Sequence, residues 1–128
     1  MADVLYPAFK ASLLTAGIDI EVDDIRIALM KSTYTYNAAH DFMDDVVAEE
    51  NGRSAALGSK TIALGVFDAA DTTITATAAA ACNAIIVFKH TGVNATAPVI
   101  AYIDYSAFTP AVSQVCNIAF NASGIFAL

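Results

Sequence analysis

The chain has 128 residues, with 6 basic against 13 acidic side chains and a formal net charge of −7. So few and so scattered lysines and arginines cannot neutralise a phosphate backbone, which excludes nucleic acid as a partner. The length bounds the chain to a single domain, 1–128, with enough residues to bury a substantial core.

Charge is distributed unevenly. Beyond Asp71 the only acid is Asp104 and the only base is Lys89. The hydrophobic fraction is 57%, above the roughly 45–50% usual for soluble domains. A free monomer normally spreads charge over its surface, so an uncharged half rich in Ala, Thr, Val and Asn is expected to be covered by other subunits. No run approaches the length of about 18 apolar residues that a membrane helix needs, so no membrane partner is expected. The opening Met-Ala-Asp-Val-Leu-Tyr-Pro lacks a basic segment followed by an apolar run, which points to cytosolic synthesis and assembly. Cys82 and Cys116 are the only cysteines, too few for a disulfide framework and expected as buried free thiols.

In chain order, Leu5, Ala8, Phe9 and Leu13 fall on one helical stripe, which predicts an N-terminal amphipathic helix over 4–16, capped by Asp3 and ended by Gly17. Pro7 suits its first turn. Ile18, Ile20 and Val22 then alternate with Asp19, Glu21 and Asp23, and Ile25, Ile27 and Leu29 alternate with Arg26 and Ala28. Period two predicts strands bent near Asp23-Asp24, with the acids on a solvated face rather than on a metal, since the glycine and closing Glu of a calcium loop are missing.

Ser32–Asn37 reads as a polar loop and His40–Val47 as a short helical turn with Phe42 and Val46 inward. His40 with Asp41, Asp44 and Asp45 resembles a hard-metal set, but one His among mobile surface carboxylates reads better as a capped acidic turn. The segment 48–60, with Asn51-Gly52 and Gly58-Ser59, is expected to be a mobile arm that orders on contact. Thr61–Phe67, Thr72–Ala78, Val112–Phe120 and Ile125–Leu128 read as further strands at sandwich-like spacing.

The strongest signal lies at Ala84–Tyr105. Two runs rich in β-branched and aromatic residues flank a connector with Gly92, Asn94 and Pro98. The connector is too short for a crossover helix, so the strands should pair antiparallel. Because both runs are apolar at nearly every position, the hairpin should be covered on both faces. The predicted core is Phe9, Leu13, Ile25, Ile27, Leu29, Ile86, Phe88, Ile100, Tyr102, Ile118 and Phe120. The fold class that follows is mainly β, an antiparallel, jelly-roll-like sandwich with one N-terminal helix.

No phosphate loop, nucleophile elbow or metal-spaced His pair is present. His90 and Asp104, on partner strands, offer the one place where a spatial triad could assemble. A polar pair at strand ends is more commonly structural, and the chain is read as non-enzymatic, with no cofactor and no catalytic or metal site.

Several stretches, in order, resemble a family of small structural proteins of tailed bacteriophages. They are Asp24–Met30 with Ser32–Thr35, His40–Val46, Gly58–Ile62, Ile86–Gly92, Pro98–Tyr105 and Asn121–Phe126. The chain departs from that pattern at Met43, where relatives carry tryptophan, and at Ala78–Ala81, which replaces a more acidic stretch. The resemblance implies an all-β virion protein. Its expected role is decoration or cement on the outer head shell, with the major capsid protein and itself as partners. The trimeric state comes from the resemblance and from capsid symmetry. A tail-associated or receptor-binding module is the alternative, which exposed Tyr34, Tyr36 and Phe42 would suit. Candidate interface residues are Thr75 and Asn94 in the uncharged half, with Arg53 and Lys60 on the arm.

Overall fold

The computed structural model describes residues 3–128. In chain order its elements are β1 (Val4–Leu5), α1 (Pro7–Leu14), β2 (Ile25–Lys31), β3 (Glu50–Arg53), β4 (Thr61–Ala63), β5 (Val66–Asp68), β6 (Thr72–Thr75), β7 (Cys82–Lys89), β8 (Val99–Phe108), β9 (Val115–Ile118) and β10 (Phe126–Ala127). Short 3-10 turns lie at Met43–Asp45, Val47–Glu49 and Asn94–Thr96. The chain is mainly β with antiparallel sheets and a single α-helix.

The central hairpin forms where the two apolar runs predict it. β7 and β8 pair antiparallel from Ala84 opposite Asp104 to Phe88 opposite Val99. Ala84–Phe88 and Val99–Tyr102 are buried without interruption, as strands covered on both faces must be. β2 takes the other side of β7, with Ile25 opposite Lys89 and Met30 opposite Ala84. β1 and β3 close the edges, giving a five-stranded sheet of order β1-β8-β7-β2-β3. A three-stranded sheet, β10-β5-β4, and the pair β6-β9 complete the fold.

The helix is shorter than 4–16. Val4 and Leu5 pair with Tyr102 and Ala101 instead of coiling, and the Tyr6 N–H donates to the Ile100 carbonyl at 3.0 Å. Backbone bonding to a sheet edge outweighs one extra helical turn here, and Pro7 marks where the helix can start. Asp3 is therefore not its cap. Its Oδ1 accepts from the Asp104 N–H at 2.7 Å.

Ile18–Val22 is a turn, not a strand. The Asp19 carboxylate accepts from the N–H groups of Glu21 and Val22 at 3.1 and 3.3 Å, and Asp23 Oδ2 accepts from the Asp19 N–H at 2.8 Å. Aspartates offer the backbone a local alternative to a ladder, while Ile18 and Ile20 still reach the core. At the next helical turn Met43 joins Val46 inside, and Phe42 is only half-buried.

The mobile arm over 48–60 needs the largest correction. Glu50–Arg53 is β3, paired with β2. The contact continues as the Ser54 and Leu57 N–H groups donate to the Ile27 and Ile25 carbonyls, each at 2.8 Å. Asn51, Ser54 and Leu57 are buried. Within it only 48, 55–56 and 58–59 are exposed.

Thr61–Phe67, expected as one strand, is two. Leu64 and Gly65 both have positive φ (52° and 78°) and form a two-residue turn between the facing Ala63 and Val66, the geometry of a primed hairpin. One hydrophobic cluster joins the three sheets and the helix. Of the predicted core only Leu13 and Phe120 are half-buried rather than buried.

Candidate functional site

The outer face of β6 and β9 is the best candidate for an interaction surface. Period two divides these strands cleanly. Ile74, Cys116 and Ile118 point inward and are buried, while Thr73, Thr75, Val115 and Asn117 point outward and are exposed. Thr75 lies opposite Val115 and Thr73 opposite Asn117, so the four side chains form one patch with no charge. Beside it, a groove of about 400 Å³ runs between Tyr105–Phe108 and Gln114–Asn117. A second groove of about 580 Å³ continues along Ile103–Ser106 to Ala119–Ile125, with the carboxylates of Asp3 and Asp104 in its lining. The β6-β9 patch and the groove beside it, free of charge, can meet another chain with little charge desolvation.

The four expected interface residues do not gather in one place. Thr75 is on this patch. Arg53 and Asn94 do meet, at 3.1 Å between the guanidinium and the Asn94 side-chain oxygen. Arg53 also pairs with Glu50 at 2.8 Å and lies 4.9 Å from the centre of the Phe88 ring. That guanidinium is held by its own chain. Lys60 lies elsewhere and donates to the Asp23 carbonyl.

Lys89 pairs with Asp23 at 3.0 Å, and Arg26 pairs with Asp24 at 2.9 Å. The Arg26 hydrogen bond keeps the Asp24 carboxyl below the usual carboxylate range. With Lys89 paired to Asp23, the exposed Asp104 is the one side-chain carboxylate beyond Asp71, and the β6-β9 patch carries no charge.

His90 and Asp104 do not converge. Asp104 lies opposite Ala84 and His90 follows Lys89 at the far end of β7, a separation along the strand of roughly 20 Å at about 3.3 Å per residue. His90 packs edge-on to Phe88 at 6.5 Å, and its Nδ1 is buried with no hydrogen-bond partner. Among the described residues no group of three or more His, Cys, Asp or Glu side chains could hold a metal. His40 Nδ1 instead meets the Tyr34 hydroxyl at 2.9 Å, and Asp45 caps the Asp41 N–H at 3.0 Å.

Tyr34 is not an exposed loop aromatic. It is buried, 2.6 Å from the Tyr6 hydroxyl, and stacks on Tyr102 at 6.1 Å. Tyr36 packs on both Tyr6 and Tyr102. Burial, then the Tyr34 hydrogen bond, pushes the Tyr6 phenol far above its ordinary value. Cys82 and Cys116 are buried and unbridged. Burial and then the neighbouring Cys82 push the Cys116 thiol up.

The outward residues of β9 escaped the sequence reading, although the alternation Val115-Cys116-Asn117-Ile118 could have found them. No family model matches the chain, and neither a curated protein nor a solved structure matches it.

Proposed function

We propose that this chain is a non-enzymatic structural protein of a tailed-phage virion, a decoration or cement protein that docks on the outer head shell and stabilises it. Its partners in this reading are the major capsid protein and further copies of itself, assembled in the host cytosol. The antiparallel sandwich belongs to the same proposal, with β10-β5-β4 and β6-β9 packed over the five-stranded sheet; one core cluster spanning all three supports it.

The observation that carries the function is the uncharged outer face of β6-β9, set on a chain of net charge −7. Cement work needs buried area on a rigid support and no chemistry. A flat β face of Thr, Val and Asn offers area without unpaired charge. The sequence resemblance over Asp24–Phe126 supplies the virion and the head.

The test is direct imaging of the intact particle by electron cryomicroscopy. Density for this fold on the head shell, with β6-β9 toward the capsid, is the expected result. Density confined to the tail overturns head decoration.

A further inference from the structure

A free strand edge on one side of the molecule has its complement on another side. β4 is the outer strand of β10-β5-β4, and all three of its residues are exposed. Ala63 and Val66 close the two-residue turn as a hydrogen-bonded pair, so the next pair, Ile62 and Phe67, directs its backbone groups away from each other. The Phe67 carbonyl accordingly accepts from the Ile125 N–H on the β10 side, at 2.7 Å. The N–H and carbonyl of Ile62 therefore face outward at an edge where no strand pairs.

The tip of this hairpin is also unusual. Leu64 is fully exposed at φ 52°, in a turn position that favours Asn, Asp or Gly. A large apolar side chain in a left-handed conformation gains nothing within the subunit. Its shape points to a contact outside it.

The receiving edge is β9. The Gln114 carbonyl accepts from the Ala76 N–H at 2.9 Å, which sets the phase of the β6-β9 ladder: Cys116 and Ile118 bond to β6, whereas Val115 and Asn117 turn their N–H and carbonyl groups to the other side. That side opens on the groove of about 400 Å³, whose opposite wall is Tyr105–Phe108. Among the described residues no strand pairs with this wall on its outer edge, since β1 covers β8 at Ala101 and Tyr102, with Asp3 bonded at Asp104. Among the described residues neither β4 nor β9 contains the lysine or proline that usually blocks strand addition, and Lys60 beside β4 is turned to the Asp23 carbonyl.

We propose that the Thr61–Gly65 hairpin edge of one copy adds as a strand to the β9 edge of a second copy, with Leu64 seated against Tyr105 and Phe108. The second copy is the favoured occupant because donor and groove are both free of charge on a chain of net charge −7. Two copies can therefore meet here without the like-charge repulsion they meet elsewhere. Donor and acceptor are different surfaces, so the contact is heterologous and propagates head to tail, closing into a ring where the rotation between copies allows it. This deepens the self-association part of the virion reading and rests on it, while leaving the β6 side of the β6-β9 face, Thr73 and Thr75, for a shell.

The test is sedimentation velocity on the purified full-length chain, with two variants. Leu64→Asn suits the turn conformation, and Asn117→Pro removes an outward N–H without touching the β6 ladder. Wild type should form assemblies larger than a dimer, rings where the rotation closes. Each variant alone should be monomeric over concentrations at least about tenfold above the wild-type midpoint, with Leu64→Asn melting no lower than wild type. An equal mixture of the two variants should give a dimer and stop there, because each retains one working side. Full-sized assemblies from Leu64→Asn, or no dimer from the mixture, overturn the proposal; Val115→Lys replaces Asn117→Pro if the latter does not fold. A monomeric wild type also overturns it, and imaging of the particle then still decides shell docking separately.

Discussion

The side chain of Asn51 clamps the backbone of Ala78 from both sides. Its Oδ1 accepts from the Ala78 N–H at 2.8 Å, and its Nδ2 donates to the Ala78 carbonyl at 3.1 Å. The same oxygen accepts from the Thr77 N–H, and the same nitrogen reaches Cys82 Sγ at 3.2 Å. Asn51 is fully buried. One amide thus ties β3 to the alanine-rich passage that leads into the central hairpin. Replacing it with Leu leaves those backbone groups unpaired, and the expected loss is roughly 2–4 kcal/mol by urea denaturation. A loss below that of an ordinary surface substitution counts against the clamp.

Gly52 and Gly58 should respond oppositely to alanine. Gly52 has φ 107°, and a Cβ there would lie 2.3 Å from the Thr75 carbonyl oxygen and 2.9 Å from Ile74 Cγ2. The backbone of β6 cannot yield as a flexible side chain would. Gly52→Ala should cost roughly 2–5 kcal/mol through strain and overpacking. A Cβ on Gly58 meets nothing within 4 Å, so Gly58→Ala should leave the melting temperature nearly unchanged or slightly raised.

These two glycines mark the boundary of what was legible in the sequence. The hairpin, β2 and most of the core follow from runs of Ile, Val and Phe, because burial on both faces leaves little freedom in composition. Phe88 is buried as expected, whereas Phe120 is only half-buried, so Phe120→Ala should cost less than the roughly 3–5 kcal/mol of Phe88→Ala. The segment 48–60 was opaque because Asn51-Gly52 has the composition of a turn. Its structural role depends on the carbonyl of Thr75 and the amide of Ala78, more than 20 positions away. The aspartates at 19 and 23 misled in the reverse sense, capping a turn while their spacing imitates a strand.

The tyrosine cluster should make the fold sensitive to alkali. Burial holds the phenols of Tyr6, Tyr34 and Tyr102 above their ordinary values. A value raised in the folded state contributes fully below the unfolded value, about 10, and its contribution is lost as pH rises beyond it. Phenolate absorbance should therefore include a late step that coincides with loss of the β circular dichroism signal. Tyr6→Phe should weaken that coupling and cost about 1 kcal/mol at neutral pH for the lost bond to Tyr34. Smooth ionisation of every tyrosine well before unfolding would argue against the cluster.

Trypsin should cut first after Lys60 and spare Arg53. Lys60 borders the exposed stretch Thr61–Gly65, while Arg53 lies within β3, paired with Glu50 and packed on Phe88. Cleavage needs several residues of extended, detachable backbone, which the β4 edge can supply at a lower opening cost than β3. Mass spectrometry of the earliest fragments distinguishes the two sites. Early cleavage at Arg53 would mean that β3 opens independently of the sheet.

Charge placed on the outer face of β6 tests the docking surface apart from the fold. Thr73 and Thr75 are exposed and on the strand opposite to the free β9 edge, so Thr73→Lys and Thr75→Lys should alter neither the β6-β9 ladder nor self-assembly. Surface substitutions of this kind usually change stability by about 0.5 kcal/mol or less. Brought against a shell, however, each ammonium must shed water without a partner carboxylate, since the only acid in the second half is Asp104. Binding to particles lacking this protein should fall for each variant and fall further for the double variant, with melting temperature held. Asn94→Lys is a poorer probe, because Asn94 accepts from Arg53 and its loss disturbs a contact inside the subunit. Undiminished particle binding by the double variant would move the shell contact to another face of the molecule.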